Sequence, residues 1–171
     1  MSEANRGSLL IVDDEVELMR ALCDSLGEQG YACQGFDEPV KAIEALRSGE
    51  FDLLLSDLMM PELDGIQVLK QALELDPNLV SIIMTGQGTI QTAVDAMKVG
   101  TFDYVLKPFR LQTVLPILTR AMNTRHLRLE NVQLREAVAI HELCETIAFT
   151  LDPQTLLSKL ADAALQQSEA D

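Results

Sequence analysis

The sequence predicts an α/β protein: a doubly wound, five-stranded parallel sheet with an extended C-terminal helix. Three observations carry this. Short apolar runs alternate with amphipathic stretches in the order βαβαβαβαβ, followed by a helix. The runs are continuously apolar, the pattern of strands covered on both faces. The chain has 171 residues, 47% of them apolar, enough for one compact domain with an appendage and a core that needs no metal or disulfide.

The first strand is Leu9-Leu10-Ile11-Val12. From Glu15 to Gly27, apolar residues at Val16, Met19, Leu22, Cys23 and Leu26 follow helical spacing. Gly30 ends that region, and Tyr31 to Phe36 reads as the second strand. Glu38 to Arg47 is a helix with Pro39 in its first turn, stopped by Ser48-Gly49. Leu53-Leu54-Leu55 is the third strand; a loop with Pro61 and Gly65 leads into a helix through Leu69 and Leu73, broken at Asp76-Pro77. Asp64 and Gly65 shape that loop and the helix start. Val80 to Met84 is the fourth strand, Ile90 to Val99 a helix closed by Gly100, and Tyr104-Val105-Leu106 the fifth strand, stopped by Pro108. Such units suit a flavodoxin-like strand order 2-1-3-4-5, with right-handed crossovers placing the strand ends along one edge.

After Pro108 the character changes. Leu111 to Phe149 contains no Gly and only Pro116 as an interruption, which predicts a long helix kinked near that proline. Leu115, Leu118, Met122, Leu129, Val132, Ala139 and Leu143 follow a heptad-like register, into which Arg125, Glu136 and Thr146 intrude. Asp152-Pro153 reads as a break and restart, with a short amphipathic helix from Leu156 to Leu165. The expected organisation is a domain over 1–124, a helical linker or coiled coil over 125–150, and a short helix over 151–171.

Thirteen basic residues face 27 acidic ones, a net charge of −14. Such a chain repels phosphate backbones and anionic lipid, which argues against direct nucleic-acid or membrane-surface binding. No basic stripe or helix-turn-helix follows the domain, so a DNA-binding regulator is not the expectation. Most of the acid lies before residue 110, so a cation site belongs there. Cys23, Cys33 and Cys144 form no C-x-x-C pair, and the polar Met1–Ser8 segment has no apolar signal region. Together with the lack of any membrane-length apolar run, these predict a reduced, cytoplasmic protein.

Four features fall just beyond the C-terminal ends of four strands: Asp13-Asp14, Asp57, Thr85 and Lys107. In an open α/β sheet that edge is where ligands bind. Three converging carboxylates repel one another, and a hard divalent cation such as Mg²⁺ resolves the conflict with oxygen ligands and waters. One Asp57 oxygen stays available as a nucleophile. A carboxylate, a cation, a lysine and a hydroxyl together suit a phosphoryl group, whose transfer depends on positioning and charge neutralisation.

The runs Leu-Ile-Val-Asp13-Asp14-Glu, Leu-Leu-Ser-Asp57-Leu-Met-Met-Pro61-Glu-Leu-Asp-Gly65, Met-Thr85-Gly and Asp-Tyr104-Val-Leu-Lys107-Pro108-Phe resemble the CheY-like receiver domain of two-component response regulators, over roughly Ser8 to Thr124. The resemblance implies that Asp57 accepts a phosphoryl group from a sensor histidine kinase. It implies Mg²⁺ held by Asp13, Asp14, Asp57 and the Met59 main-chain carbonyl, and Lys107 on the acyl phosphate. Thr85 and Tyr104 would act as switch residues that move the face formed by the fourth helix, fifth strand and fifth helix. The family often carries Ala after the switch Thr; here Gly86 leaves room at the phosphate. Met59 and Gln87 flank the site and would tune self-dephosphorylation.

The long helix is similar to a signalling helix, which would pair two chains as a homodimer, and Ile147 to Leu157 is similar to the opening helix of a GAF domain. On that resemblance the chain is a fragment of a longer regulator. The competing enzyme reading is a Mg²⁺-dependent phosphatase of small substrates with Asp57 as nucleophile. Those enzymes carry a second Asp two residues on, where this chain has Met59. The Gly86-Gln87-Gly88 run lacks the spacing of a phosphate-binding P-loop. His141-Glu142-Leu143 lacks the Arg-Thr-Pro of a kinase phosphoacceptor box; His126 and His141 read as helix-surface residues, Cys23 and Cys33 as packing.

Overall fold

The computed structural model describes residues 6–86 and 90–150. The elements are β1 (Ser8–Val12), α1 (Val16–Gly27), β2 (Ala32–Phe36), α2 (Pro39–Ser48), β3 (Leu53–Asp57), α3 (Gly65–Leu75), β4 (Val80–Thr85), α4 (Ile90–Val99), β5 (Asp103–Leu106) and α5 (Leu111–Thr150). The five strands pair in parallel in the order β2-β1-β3-β4-β5, as the sequence predicts. The strand ends differ from expectation by a few residues; β3 and β4 each run on to include the polar residue at their tip, Asp57 and Thr85.

Successive strand residues point to opposite faces. Leu9, Ile11, Leu53, Leu55, Ile82 and Met84 pack under α1 and α5, against Met19, Leu22, Leu26, Val114, Leu118 and Met122. Leu10, Val12 and Leu54 face the other layer, with Ala42 and Ile43 of α2 and Val68 and Ala72 of α3. Leu53, Leu54 and Leu55 are fully buried. Each contributes about 2 kcal/mol relative to exposure, so both layers are anchored on β3. The outer strand β2 is only partly covered, with Ala32 and Gln34 exposed. Cys23 and Cys33 pack against the first cluster.

The compact unit runs to Leu129, and the chain from Glu130 onward forms a second unit. Two arginines explain why the first extends past Thr124. Arg125, read from sequence as a polar intruder in a seam, is buried: its Nη2 lies 2.7 Å from Asp76 and its Nε 3.8 Å from Asp52. Arg128 Nη1 donates to the Leu79 carbonyl at 3.0 Å. The expected heptad register is corrected accordingly. Leu118 and Met122 are spent on the domain core, with Leu115 packed beside them. Pro116 lies inside α5, which continues past it.

In the second unit, residues 130–144 are exposed on all sides of the helix, Leu134, Val138, Ile140 and Leu143 included. The restart at Asp152-Pro153, the Leu156–Leu165 helix, the GAF-like segment beyond Thr150, and Gln87 and Gly88 lie outside the described residues. Among the described residues no helix is long and apolar enough to cross a membrane.

Candidate phosphoacceptor site

The register of the sheet assembles the site. Val12 pairs with Ser56, Asp57 with Met84, and Thr85 with Leu106, so the residues at these strand tips share one edge. Asp57 closes β3 and is almost wholly buried; its Oδ1 accepts the Leu58 amide hydrogen at 2.9 Å. Asp13 follows β1 and is buried, its amide bonded to the Phe36 carbonyl at 3.1 Å. Its Oδ1 accepts the Glu15 amide hydrogen at 3.0 Å, which helps fix the start of α1. Asp14 is exposed, and carboxylate oxygens of Asp13, Asp14 and Asp57 lie within 4.8 Å of one another.

Lys107 reaches into this group from the end of β5. Its backbone amide donates to the Thr85 carbonyl at 2.7 Å, tying the two strand tips together, and the Lys107–Pro108 peptide is cis. Its Nζ lies 2.7 Å from Asp13 Oδ2, 3.3 Å from Glu15 Oε1 and 3.4 Å from Asp57 Oδ1. Burial disfavours the ammonium, but its bond to Asp13, the attraction of Asp13 and Asp57 and the bond to Glu15 push its pKa up. Burial raises the Asp57 pKa first, helped by the Asp13 charge; the opposing pull of Lys107 and the Leu58 amide does not cancel this. The acids outnumber the one lysine, so the site holds an uncompensated negative charge.

Thr85 is fully buried at the tip of β4. Tyr104 is half-buried and packs against Leu58, Ile83 and Ala96; its hydroxyl is buried without a hydrogen-bond partner among the described residues. Met59 is exposed and borders a cleft of about 290 Å³ lined also by Asp14, Glu15, Asp57, Gly86 and Lys107. An adjoining cavity of about 470 Å³ shares Glu15, Gly86 and Lys107 and adds Leu18, Pro108 and Phe109.

The turn after β3 requires Gly65. A Cβ there would collide with the Asp57 carbonyl, and the Gly65 amide donates to the Leu58 carbonyl at 3.0 Å. Asp64 caps α3 by accepting the Gln67 amide hydrogen at 2.8 Å, the loop-shaping role expected of this pair.

The predicted residues Asp13, Asp14, Asp57, Met59, Thr85 and Lys107 thus lie along one sheet edge, with Tyr104 in the adjoining strand. Sequence reasoning used Glu15 only as a helix start and missed its bond to Lys107. Three consecutive acids, Asp13, Asp14 and Glu15, at a strand tip were the available signal. Arg125 was missed as well, although it continues the buried spacing Val114, Leu118, Ala121, Met122.

The sheet order, the paired carboxylates and the lysine at the tip of the last strand define a phosphoacceptor class of α/β domain. The chain belongs to the response regulator receiver domain family, whose model matches residues 9–119. It is 33% identical over 130 residues to the C4-dicarboxylate transport transcriptional regulatory protein DctD of Rhizobium meliloti (strain 1021), covering 76% of this chain and 28% of that protein. It is 37% identical over 118 residues to the DNA-binding transcriptional regulator NtrC of Escherichia coli (strain K12), covering 69% of this chain and 25% of that one. Among solved structures, NtrX from Brucella abortus in complex with ATP superposes with a TM-score of 0.71 at 27% identity, over 75% of this chain and 30% of that chain. The chain therefore spans about a quarter of the length of these curated relatives. It is a receiver domain homologous to those of two-component response regulators, and the small-substrate phosphatase reading is not favoured.

Proposed function

We propose that Asp57 is the phosphoacceptor and that its donor is a phosphohistidine on a sensor histidine kinase. An Asp57 oxygen attacks phosphorus, an O–P bond forms, the P–N bond to the imidazole breaks, and the imidazole nitrogen keeps the electron pair. Water later cleaves the acyl phosphate, so the chain is a self-catalysing phosphoacceptor rather than a turnover enzyme. The observation that carries this reading is Lys107 Nζ lying between Asp13 and Asp57, at 2.7 and 3.4 Å, beside three clustered carboxylates.

The donor set fits a hard divalent cation: carboxylate oxygens gathered within 4.8 Å of one another, in excess over the lysine. Asp13, Asp14, Asp57 and the Met59 main-chain carbonyl would hold Mg²⁺, which supplies charge neutralisation at the phosphoryl oxygens. Asp57 is kept in place by the Leu58 amide, and Lys107 supplies a fixed positive charge. The Thr85 hydroxyl turns to the phosphoryl group, and Tyr104 changes rotamer with it. The α4–β5–α5 face then shifts, a two-state element biased by one new charge cluster.

Output lies in a partner protein or in chain beyond this receiver. The relatives' names point to transcriptional control for the whole protein. The helix after the receiver acts as a linker, and the exposed Val132, Ala139 and Leu143, which share one helix face, pair it with a second copy. The test is NMR with beryllium trifluoride and Mg²⁺. Wild type shifts the Thr85, Tyr104 and Lys107 signals and Asp57→Asn does not; identical spectra for both proteins refute the switch.

A further inference from the structure

We propose that Glu15 is a positioning residue for this site: its carboxylate tethers Lys107 in the unphosphorylated protein and must let go when a phosphoryl group arrives. The inference rests on Asp57 being the phosphoacceptor. An ammonium has three N–H donors. Around Lys107 Nζ stand three carboxylates, Asp13 at 2.7 Å, Glu15 at 3.3 Å and Asp57 at 3.4 Å, and of these Glu15 Oε1 accepts a hydrogen bond from it.

The three contacts are unequal. The Asp13 contact is the shortest, and its carboxylate is buried and fixed by the Glu15 amide. Asp57 becomes an acyl phosphate whose oxygens carry more negative charge than the carboxylate they replace, and they draw the ammonium toward them and away from its outer partner. The Glu15 contact is the one that yields, because this side chain is 65% exposed and water can take over its hydrogen bonds.

Glu15 also occupies the N-cap position of α1 yet makes no capping bond with its side chain, reaching instead across 92 residues of sequence to Lys107. It borders both the phosphoacceptor cleft and the adjoining cavity, so its carboxylate stands beside the approach to Asp57. Nothing in the helix start depends on that carboxylate, so Glu15→Gln reports on the lysine rather than on α1.

The experiment measures beryllium trifluoride affinity at saturating Mg²⁺ by ¹⁹F NMR on the full chain, for wild type, Glu15→Gln, Glu15→Asp and Asp57→Asn. Glu15→Gln removes the charge. Glu15→Asp keeps it, but the side chain is one methylene shorter and Asp is a favoured N-cap that turns toward the helix amides. Both Glu15 variants are expected to bind about three-fold more tightly than wild type, the scale of an exposed ion pair. The gain shrinks as salt is raised, and Mg²⁺ affinity without the mimic stays close to wild type. If only Glu15→Gln gains, the field of the charge acts and no tether exists. If neither gains, or if Mg²⁺ affinity collapses, Glu15 holds the metal or nothing, and the proposal is overturned. Binding that is absent in wild type and Asp57→Asn alike defeats the phosphoacceptor reading itself, a result distinct from failure of the tether.

Discussion

Arg125 Nη2 lies 2.7 Å from an Asp76 carboxylate oxygen, at the end of the sheet opposite Asp57. The guanidinium also donates to the Phe51 carbonyl at 3.4 Å and faces Asp52, whose other oxygen accepts the Ser8 amide hydrogen at 2.8 Å. One side chain from α5 thereby gathers the entries to β1, β3 and β4. Arg125→Met is expected to lower unfolding stability by about 2–3 kcal/mol, less than a fully buried pair because both acids are partly exposed. Urea denaturation with an unchanged m-value checks this; a loss within error would mean that the contacts merely decorate the fold.

Gly65→Ala is expected to cost about 1–3 kcal/mol, as overpacking against backbone does. A side chain at 65 meets the Asp57 carbonyl, which cannot swing away as a flexible side chain would. Amide shifts should therefore concentrate at Asp57 and Leu58, and beryllium trifluoride binding should weaken with them. Shifts confined to α3 would contradict the close approach.

Asp57→Asn should stabilise the apo protein at neutral pH. Burial and the Asp13 charge raise the Asp57 pKa, so the folded state binds this proton more readily than the unfolded chain does. Stability then falls as pH rises through the window from the ordinary carboxylate pKa up to the raised one, and the cost persists above it. The Asn variant escapes that cost, so its advantage should be full above the raised pKa and vanish below the ordinary carboxylate range. Thermal melts without Mg²⁺ across that window test the sign. An advantage that grows on acidification would show that Asp57 stabilises the fold as an anion.

The cysteines should separate cleanly by reactivity. Burial, with a smaller push from Cys23, raises the Cys33 thiol to about 12, and burial with Asp24 raises that of Cys23. Cys144 is exposed. A thiol-disulfide reagent at mildly alkaline pH is expected to label one cysteine rapidly and the other two only after denaturant is added. Fast labelling of Cys33 in the native protein would mean that the α1–β2 packing opens readily.

The sheet was legible in sequence because its strands are runs such as Leu53-Leu54-Leu55, apolar on both faces, separated by Gly and Pro stops. The acidic edge was legible because Asp13, Asp57, Thr85 and Lys107 each fall at the tip of such a run. The side chains acting across long separations were not. Glu15 and Lys107 are 92 positions apart, and only the folded sheet edge shows them bonded. Arg125 looked like a flaw in a heptad seam because charge in a helix normally marks its wet side. Here two acids that precede strands supply a buried niche for it. The seam misled for the same reason: Leu118 and Met122 serve a core and a coiled-coil stripe equally well by spacing, and only the packing under the sheet decides between them.

Gly86 borders both cavities beside Asp57, and a Cβ added there would meet nothing within 4 Å. Gly86 is thus a position beside the cleft where an added methyl group meets no neighbour among the described residues. On the reading of Asp57 as phosphoacceptor, the lifetime of its acyl phosphate can be varied at a residue that no packing contact holds. A single methyl group at 86 would then retime the signal without disturbing the sheet beneath it.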